Sequence, residues 1–599
     1  MTKTARKSPA KKPANLPRWN LNDLYKGMTD PKLEKDFKWA ESHAQDFKKT
    51  YEGYLSTLNG EALAAAIEAY EKIDEVLGRI MSYAYLLYST NQEDSKIAGF
   101  YQGAQERVTA ISTFTLFFAL ELNKVDDAIL RKQLQSAAIQ KYEPWIRDIR
   151  VFRPHQLSQE IEQKLHEKRV VGRAAWNRLF DETLAGLRFP YQGKKLTEAE
   201  ILNLFSNPKR DIRAKAAHSF AKVLGDNIKL FALITNTLAK DKEIEDTWRK
   251  FPKPISYRNL SNFVEDEVVE ALVSSVKRAY PRLSHRYYQM KAGWLKLKKL
   301  EYYDRNAPLP KQADKIIPWP KAKSIVLESY GQFSSDIAGV AKQFFDKNWI
   351  DVPAVPGKTS GAFAHPTVPS AHPYILLNYQ GKQRDVMTLA HELGHGIHQV
   401  LAGQAQGHLL SDTPLTLAET ASVFGEMLTF QNLLAEEKNA ATRRHLLAGK
   451  VEDMLNTVVR QIAFCEFERG VHEERRKGEL TPERLGEIWI ANQKAALGPA
   501  FNFKDEYKNF WAYIPHFIHS PFYVYAYAFG DCLVNSLYAL YQKGTPAFAK
   551  KYHAMLSAGG SKHHKELLAP FGLNAADPKF WDMGLSMLSS FIDELENLD

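Results

Sequence analysis

A mainly α-helical protein with one small β element is the fold class the amino-acid sequence predicts, and three observations carry that reading. Apolar residues recur three and four apart, with few breakers, from about 30 to 180 and again from about 198 to 347. Helical patterns resume at about 383 and run to the C-terminus, interrupted by loops near 404–414, 498–515 and 558–562. One run reads clearly as strand, Tyr374-Ile375-Leu376-Leu377-Asn378-Tyr379. It ends a stretch punctuated by Pro353, Pro356, Gly357, Gly361, Pro366, Pro369 and Pro373.

The elements follow in order. Lys3, Arg6, Lys7, Lys11, Lys12 and Arg18 fall in the first 18 residues, which hold no acid and read as a disordered basic tail. Trp19-Asn20-Leu21-Asn22-Asp23-Leu24-Tyr25 opens the ordered region, and Ala62 to Leu87 is typical of the amphipathic helices that follow. Gly193, between Leu187-Arg188-Phe189 and Lys194-Lys195-Leu196-Thr197, predicts a short hairpin.

The 599 residues are 44% hydrophobic and 25% charged, an ordinary globular composition too long for one simple domain. The formal charge is +10, and without the six basic residues of the tail the surplus is four. A balanced body argues against a nucleic-acid partner. Cys465 and Cys532 are the only cysteines, so neither a disulfide framework nor a cysteine metal cluster is expected, as suits a reducing compartment. Pro9, Pro13 and Pro17 interrupt the place of a secretory apolar run, and no stretch approaches a membrane span. The expectation is a cytoplasmic protein with no membrane partner, a monomer or weak homo-oligomer.

Residues 388–399 read Thr-Leu-Ala-His-Glu-Leu-Gly-His-Gly-Ile-His-Gln. On a helix, His391 and His395 stand one turn apart on one face, so both imidazoles reach a single ion. Glu392, beside the first histidine, can take a proton from a water at that ion, which is the His-Glu-x-x-His arrangement of zinc peptidases. A catalytic zinc needs a third protein ligand and an open position. The extended pattern requires glycine at 398 and histidine at 401, but His398 and Leu401 stand there. Glu419 supplies the alternative, an acid in the apolar stretch Leu417 to Gly425, 24 residues past His395. Ser422 and Glu426 share its helical face, and Glu426 suits a hydrogen bond to the outer nitrogen of a ligand histidine. His398 reads as a packing residue, and His365 and His372 as loop or cleft residues.

Hydrolysis of an amide also calls for donors to the developing oxyanion. The segment from His516 to Tyr527 is the best source: Tyr523 and Tyr527 share a helical face, and Tyr525 points roughly the other way. An aromatic core stripe is the bland alternative, although three buried hydroxyls would each need a partner.

At this point the chain resembles the oligoendopeptidase F branch of the thimet-oligopeptidase-like zinc metallopeptidases. The resemblance runs from Trp19–Tyr25, through Pro373–Asn378, His391–His395, Glu419–Ser422 and His516–Tyr527, to Gly559-Gly560-Ser561-Lys562. It implies a two-lobed helical clam-shell around a deep channel that admits short peptides, with one zinc held by His391, His395 and Glu419 and with Glu392 as general base. It matches His516 to the family's histidine in the substrate-binding segment, which places it with Glu392, Tyr523 and Tyr527 among the expected catalytic residues. It also implies that the strand carrying Tyr374, Leu376 and Asn378 is an edge strand that pairs with substrate backbone. Tyr523 and Tyr527 are preferred as oxyanion donors for their shared face, which leaves Tyr525 to substrate binding. The corresponding division is a tail over 1–18, an N-terminal helical domain over 19–200 and a catalytic domain over 201–599. The rival readings are a zinc carboxypeptidase, which would need a basic group for the substrate's C-terminus, and a non-catalytic helical peptide-binding protein.

Overall fold

The computed structural model describes residues 16–169, 171–309 and 316–598. Helices dominate, because the three-and-four spacing turns one stripe of each segment inward, and the buried stripes merge into a core running from Trp19 to Leu595. The main helices are α1 (Pro31–Tyr51), α2 (Gly60–Thr90), α3 (Arg210–Asp226), α4 (Trp319–Phe333), α5 (Ser335–Asp346), α6 (Gln383–Gln406), α7 (Thr420–Glu436), α8 (Ala440–Thr457), α9 (Val459–Arg475), α10 (Pro482–Leu497), α11 (Tyr525–Gln542) and α12 (Pro578–Asn597). The hairpin predicted at Gly193 forms, with β1 (Phe189–Tyr191) antiparallel to β2 (Lys194–Leu196). Phe189 stacks on Phe220 of α3 at 4.9 Å, so the chain on either side of position 200 packs together.

A three-stranded sheet precedes α6. Its strands are β3 (Ile350–Pro353), β4 (Phe363–His365) and β5 (Tyr374–Tyr379), in the order β3-β5-β4. β5 runs parallel to β3 and antiparallel to β4, with Ala364 opposite Ile375. The apolar run at 374–379 is therefore a central strand paired on both sides. It is not the edge strand expected from the resemblance; its Val/Ile/Leu-type continuity is the mark of a strand with no free side. Buried Lys358 holds the β3–β4 connection by donating to Asp351 and to the carbonyls of Pro353 and Leu377.

The long helix α2 faces this region across the molecule. Asn59 caps it by accepting from the Ala62 N–H at 2.8 Å. Along its length Asp74 meets His408 (2.8 Å), Glu75 accepts from Ser370 N–H (3.1 Å), Ser82 meets His365 (2.9 Å) and the Ser89 carbonyl accepts from Thr359 N–H (2.9 Å).

Two boundaries differ from expectation. The basic tail was expected to reach residue 18, but the Pro17 carbonyl accepts from Val352 N–H at 3.0 Å and Leu16 packs on the core. Residues 16–18 thus belong to the fold, and the rest of the expected tail lies outside the described residues. The loop expected over 498–515 contains a 3-10 helix, Asp505–Tyr513, and a two-residue parallel bridge from Leu300–Glu301 to Phe501–Asn502. No single helix among the described residues is long and apolar enough to cross a membrane.

Candidate metal centre

The backbone of α6 dictates the centre's geometry. His391 and His395 are one turn apart, with ring centroids 5.0 Å apart and planes crossed at 83°. Gly394 between them lets α7 approach: a Cβ there would stand 2.4 Å from the Ala421 carbonyl oxygen and 2.6 Å from the Ser422 Cα. That contact brings Glu419, at the break between Leu415–Ala418 and α7, under the histidines. Glu419 Oε2 lies 3.4 Å from His391 Nε2 and 3.5 Å from His395 Nε2. The three donor atoms fall within 4.8 Å of one another, a spacing that one ion at ordinary ligand distances would close.

Each donor is held from behind. His391 Nδ1 donates to Glu426 Oε2 at 3.2 Å, and Lys450 donates to Glu426 Oε1 at 2.6 Å. The His395 ring donates to the Ala418 carbonyl, and Ser422 Oγ donates to Glu419 Oε2 at 2.6 Å. Burial pushes the Glu426 carboxyl up, but Lys450 and His391 outweigh it and hold it at about 2. His391 shows what the site favours. Burial lowers its pKa, yet Glu426, Glu419 and Glu392 raise it to about 9. Three carboxylates around one imidazole make a place that prefers positive charge, and the donor set of two imidazoles and a carboxylate fits a divalent cation such as zinc.

Glu392 is 7% exposed. Burial raises its carboxyl to about 7, His391 lowers it, Glu419 raises it, and the Ala364 N–H of β4 donates to it. Gln399 Nε2 reaches the Ala364 carbonyl at 3.4 Å, so the unpaired edge of the sheet is β4 and it faces α6. A cavity of about 700 Å³ opens from His395 and Gln399 past His372 to Tyr70 and Trp145 on the opposite wall.

The His516 segment approaches from the C-terminal side. Gly530 of α11 packs against Glu419, where a Cβ would lie 3.0 Å from the Glu419 Cβ, and Tyr527 stands one turn earlier on that helix. Tyr527 Oη lies 3.4 Å from His516 Nε2, and the Tyr523 and Tyr527 rings are 5.3 Å apart. Burial, with Tyr523 and Glu419 nearby, raises the Tyr527 phenol to about 12, which keeps it a hydrogen-bond donor.

Four expected substrate contacts are corrected. Tyr525 is fully buried on the opposite face, and its hydroxyl accepts from Asn262 Nδ2 at 2.8 Å. Tyr374 is buried, donates to the Asn20 carbonyl at 2.8 Å and meets Trp19 edge-on, so it anchors the N-terminal segment. Leu376 is core. Asn378 donates to the Thr359 and Gly361 carbonyls at 2.9 and 2.8 Å, shaping the loop that delivers β4. His398 is buried packing, 3.2 Å from Thr413 Oγ1. Sequence reasoning missed β4 and Lys450. A three-residue strand, Phe363-Ala364-His365, is too short to show a period, and a lysine on a helix gives no sign of the carboxylate it will meet.

Comparison with known proteins finds relatives over nearly the whole chain. The profile described as Peptidase family M3 matches residues 203–587, and one described as Oligopeptidase F matches 121–189. Oligopeptidase PepF of Bacillus subtilis is 26% identical over 97% of this chain and 87% of its own length. An oligoendopeptidase F homologue of Lactococcus lactis is 27% identical over 97% of both. Among solved structures, a protein of Chlamydophila abortus with a provisional peptidase assignment superposes with a TM-score of 0.86 at 21% identity, covering 97% of this chain and 98% of that one. Oligoendopeptidase-F from Enterococcus faecium gives 0.70 at 23% identity, over 95% of this chain and 97% of its own. Both share the fold.

Proposed function

The chain belongs to peptidase family M3, in its oligoendopeptidase F branch, and on that premise we propose that it is a zinc-dependent endopeptidase cutting internal bonds of short, unstructured peptides in the cytoplasm. One observation carries the proposal: the His391, His395 and Glu419 donors converge within 4.8 Å with a buried carboxylate, Glu392, beside them.

His391, His395 and Glu419 would hold the zinc, which supplies Lewis-acid activation of a water and of the scissile carbonyl. Glu392 accepts the proton as the water attacks and delivers it to the nitrogen of the leaving amine, and its burial raises its carboxyl above the ordinary value, as suits a group that takes up a proton. Tyr527 and Tyr523, with His516 behind them, donate to the oxygen on which charge develops. β4 has no partner strand on its outer side, and an extended peptide laid there, in place of β5, would compete for the Ala364 N–H and carbonyl that Glu392 and Gln399 hold. Buried, unbridged Cys465 and Cys532 agree with a reducing compartment.

The test is a digest of a mixed peptide library with cuts mapped by mass spectrometry and metal content measured on the same sample. Internal cuts that vanish with chelator and return with zinc are expected. Cutting confined to one or two residues from the C-terminus would make it a carboxypeptidase, and chelator-insensitive cutting would remove the metal from the mechanism.

A further inference from the structure

The segment that leads into His516 is backed by a group of cations with too few acids. Arg305, Arg460 and Gln493 line one cavity together with Tyr288 and Asn456. The neighbouring carboxylates are already engaged. Asp304 accepts from Arg210 and from Arg213, each at 2.7 Å. Glu452 accepts from Lys291 and, at 2.7 Å, from Tyr287. Asp304 and Glu452 are thus taken up by other groups, and among the described residues neither Arg305 nor Arg460 forms an ion pair.

The buried unpaired side-chain groups that line this cavity are donors. Gln493 is 2% exposed; its Oε1 accepts from Tyr507 Oη at 3.1 Å, which orients the amide and leaves Nε2 without a partner. Arg460 Nε is likewise buried and unpartnered, while its guanidinium lies 4.9 Å from the Phe464 ring centre. Arg305 Nε reaches only Asn306 Oδ1, at 3.4 Å. The enclosed part of the cavity, about 10 Å³, has room for one water, and both arginines are part-exposed at its mouth. A water could satisfy Gln493 and Arg460 Nε, but it would leave two guanidinium charges uncompensated; an anion answers both needs. The cluster adjoins the His516 segment: the Phe464 ring under the Arg460 guanidinium meets Phe517, the residue after His516, edge-on at 5.4 Å.

We infer that Arg305 and Arg460 form a subsite for a substrate carboxylate on the cleft wall beside His516, a planar anion that two guanidinium forks are shaped to receive. The carboxylate is either the free C-terminus of the peptide or an aspartate or glutamate side chain. This assignment rests on the peptidase reading above and adds to it a preference for acidic or short C-terminal products.

The experiment uses the zinc-loaded full chain and one quenched fluorogenic peptide in four forms: free acid, C-terminal amide, and each of these with its single glutamate replaced by glutamine. The wild-type protein is expected to favour one carboxylate-bearing form over its neutral counterpart by ~10-fold or more in kcat/KM, chiefly through KM. The pair that differs identifies the source. Arg460→Gln and Arg305→Gln should each bring that ratio to within about two-fold of unity, whereas Arg460→Lys, which keeps the charge and loses the fork, should retain part of it. Thermal melts establish that each variant is folded, and the lysine variant serves if a glutamine variant is not. Equal cleavage of all four peptides by the wild type, or a ratio unchanged in the folded variants, overturns the subsite and leaves the endopeptidase reading intact. Failure to cleave any of the four would instead bring down that underlying reading.

Discussion

Glu392, buried, and Glu426, part-buried, are both acids within reach of His391, yet their surroundings drive them apart. Burial raises Glu392 to about 7, while Lys450 and His391 hold Glu426 at about 2 despite burial. One is poised to exchange a proton and the other is fixed as an anion that orients a ligand. Glu392→Gln is therefore expected to keep its metal and lose at least ~10³-fold in kcat/KM, since proton acceptance and delivery to the amine fail together; a variant with a tenth of normal activity would end the general-base assignment. Glu426→Ala is expected to weaken metal affinity by about 10–100-fold, less than Glu419→Ala. Zinc titration against a competing chelator ranks the two, and the reverse order would exchange their roles.

Elements meet at this centre only because particular positions allow it. Gly394 has no room for a side chain against α7, so Gly394→Ala is expected to force α6 and α7 apart, costing about 1–3 kcal/mol and lowering zinc affinity as Glu419 moves. Melting curves with and without zinc check this; wild-type affinity in the variant would show that the helix contact does not set the ligand geometry. A second junction is Glu468 on α9, whose Oε1 accepts from Phe522 N–H at 2.8 Å while Oε2 is buried without a partner. Phe522 has φ +59°, a left-handed conformation that costs a non-glycine residue, just before Tyr523. Burial raises Glu468 from 4.5 to about 8. The folded state then holds a proton that the unfolded state has released, so this group subtracts stability progressively as pH rises from 4.5 to 8. Glu468→Gln keeps an acceptor for Phe522 and carries no charge. It is expected to narrow the drop in Tm between pH 5 and pH 8 by ~1–3 °C; a Tm profile parallel to that of the wild type would contradict the assignment.

The molecule as a whole walls the site. α2 and the segment from Pro366 to Pro373 wall the 700 Å³ cavity on one side, and α6 walls it on another. Such a cleft admits an extended chain with free ends more readily than a stretch tethered within a large protein. Efficient cleavage of peptides of roughly 5–20 residues is expected, with little attack on folded or long denatured chains. A competition digest of one sequence, as a free peptide and within an unfolded protein, measures this, and comparable rates would mean an open site.

The sequence by itself determined the helical class, the hairpin at Gly193, the strand at 374–379 and the grouping of His391, Glu392 and His395, because each depends on periodicity or on spacing within one element. It also indicated Glu419 and Glu426, since an acid in an apolar helical stretch must find a partner. Only the tertiary structure decided which strand has a free edge, that Tyr525 turns into the core toward Asn262, and that Lys450 stands behind Glu426. The excess of cations around Arg305 and Arg460 likewise exists only in the folded molecule. These facts depend on contacts between residues far apart in the chain, and neither the pairing of a strand nor the satisfaction of a charge can be read from the segment that carries it.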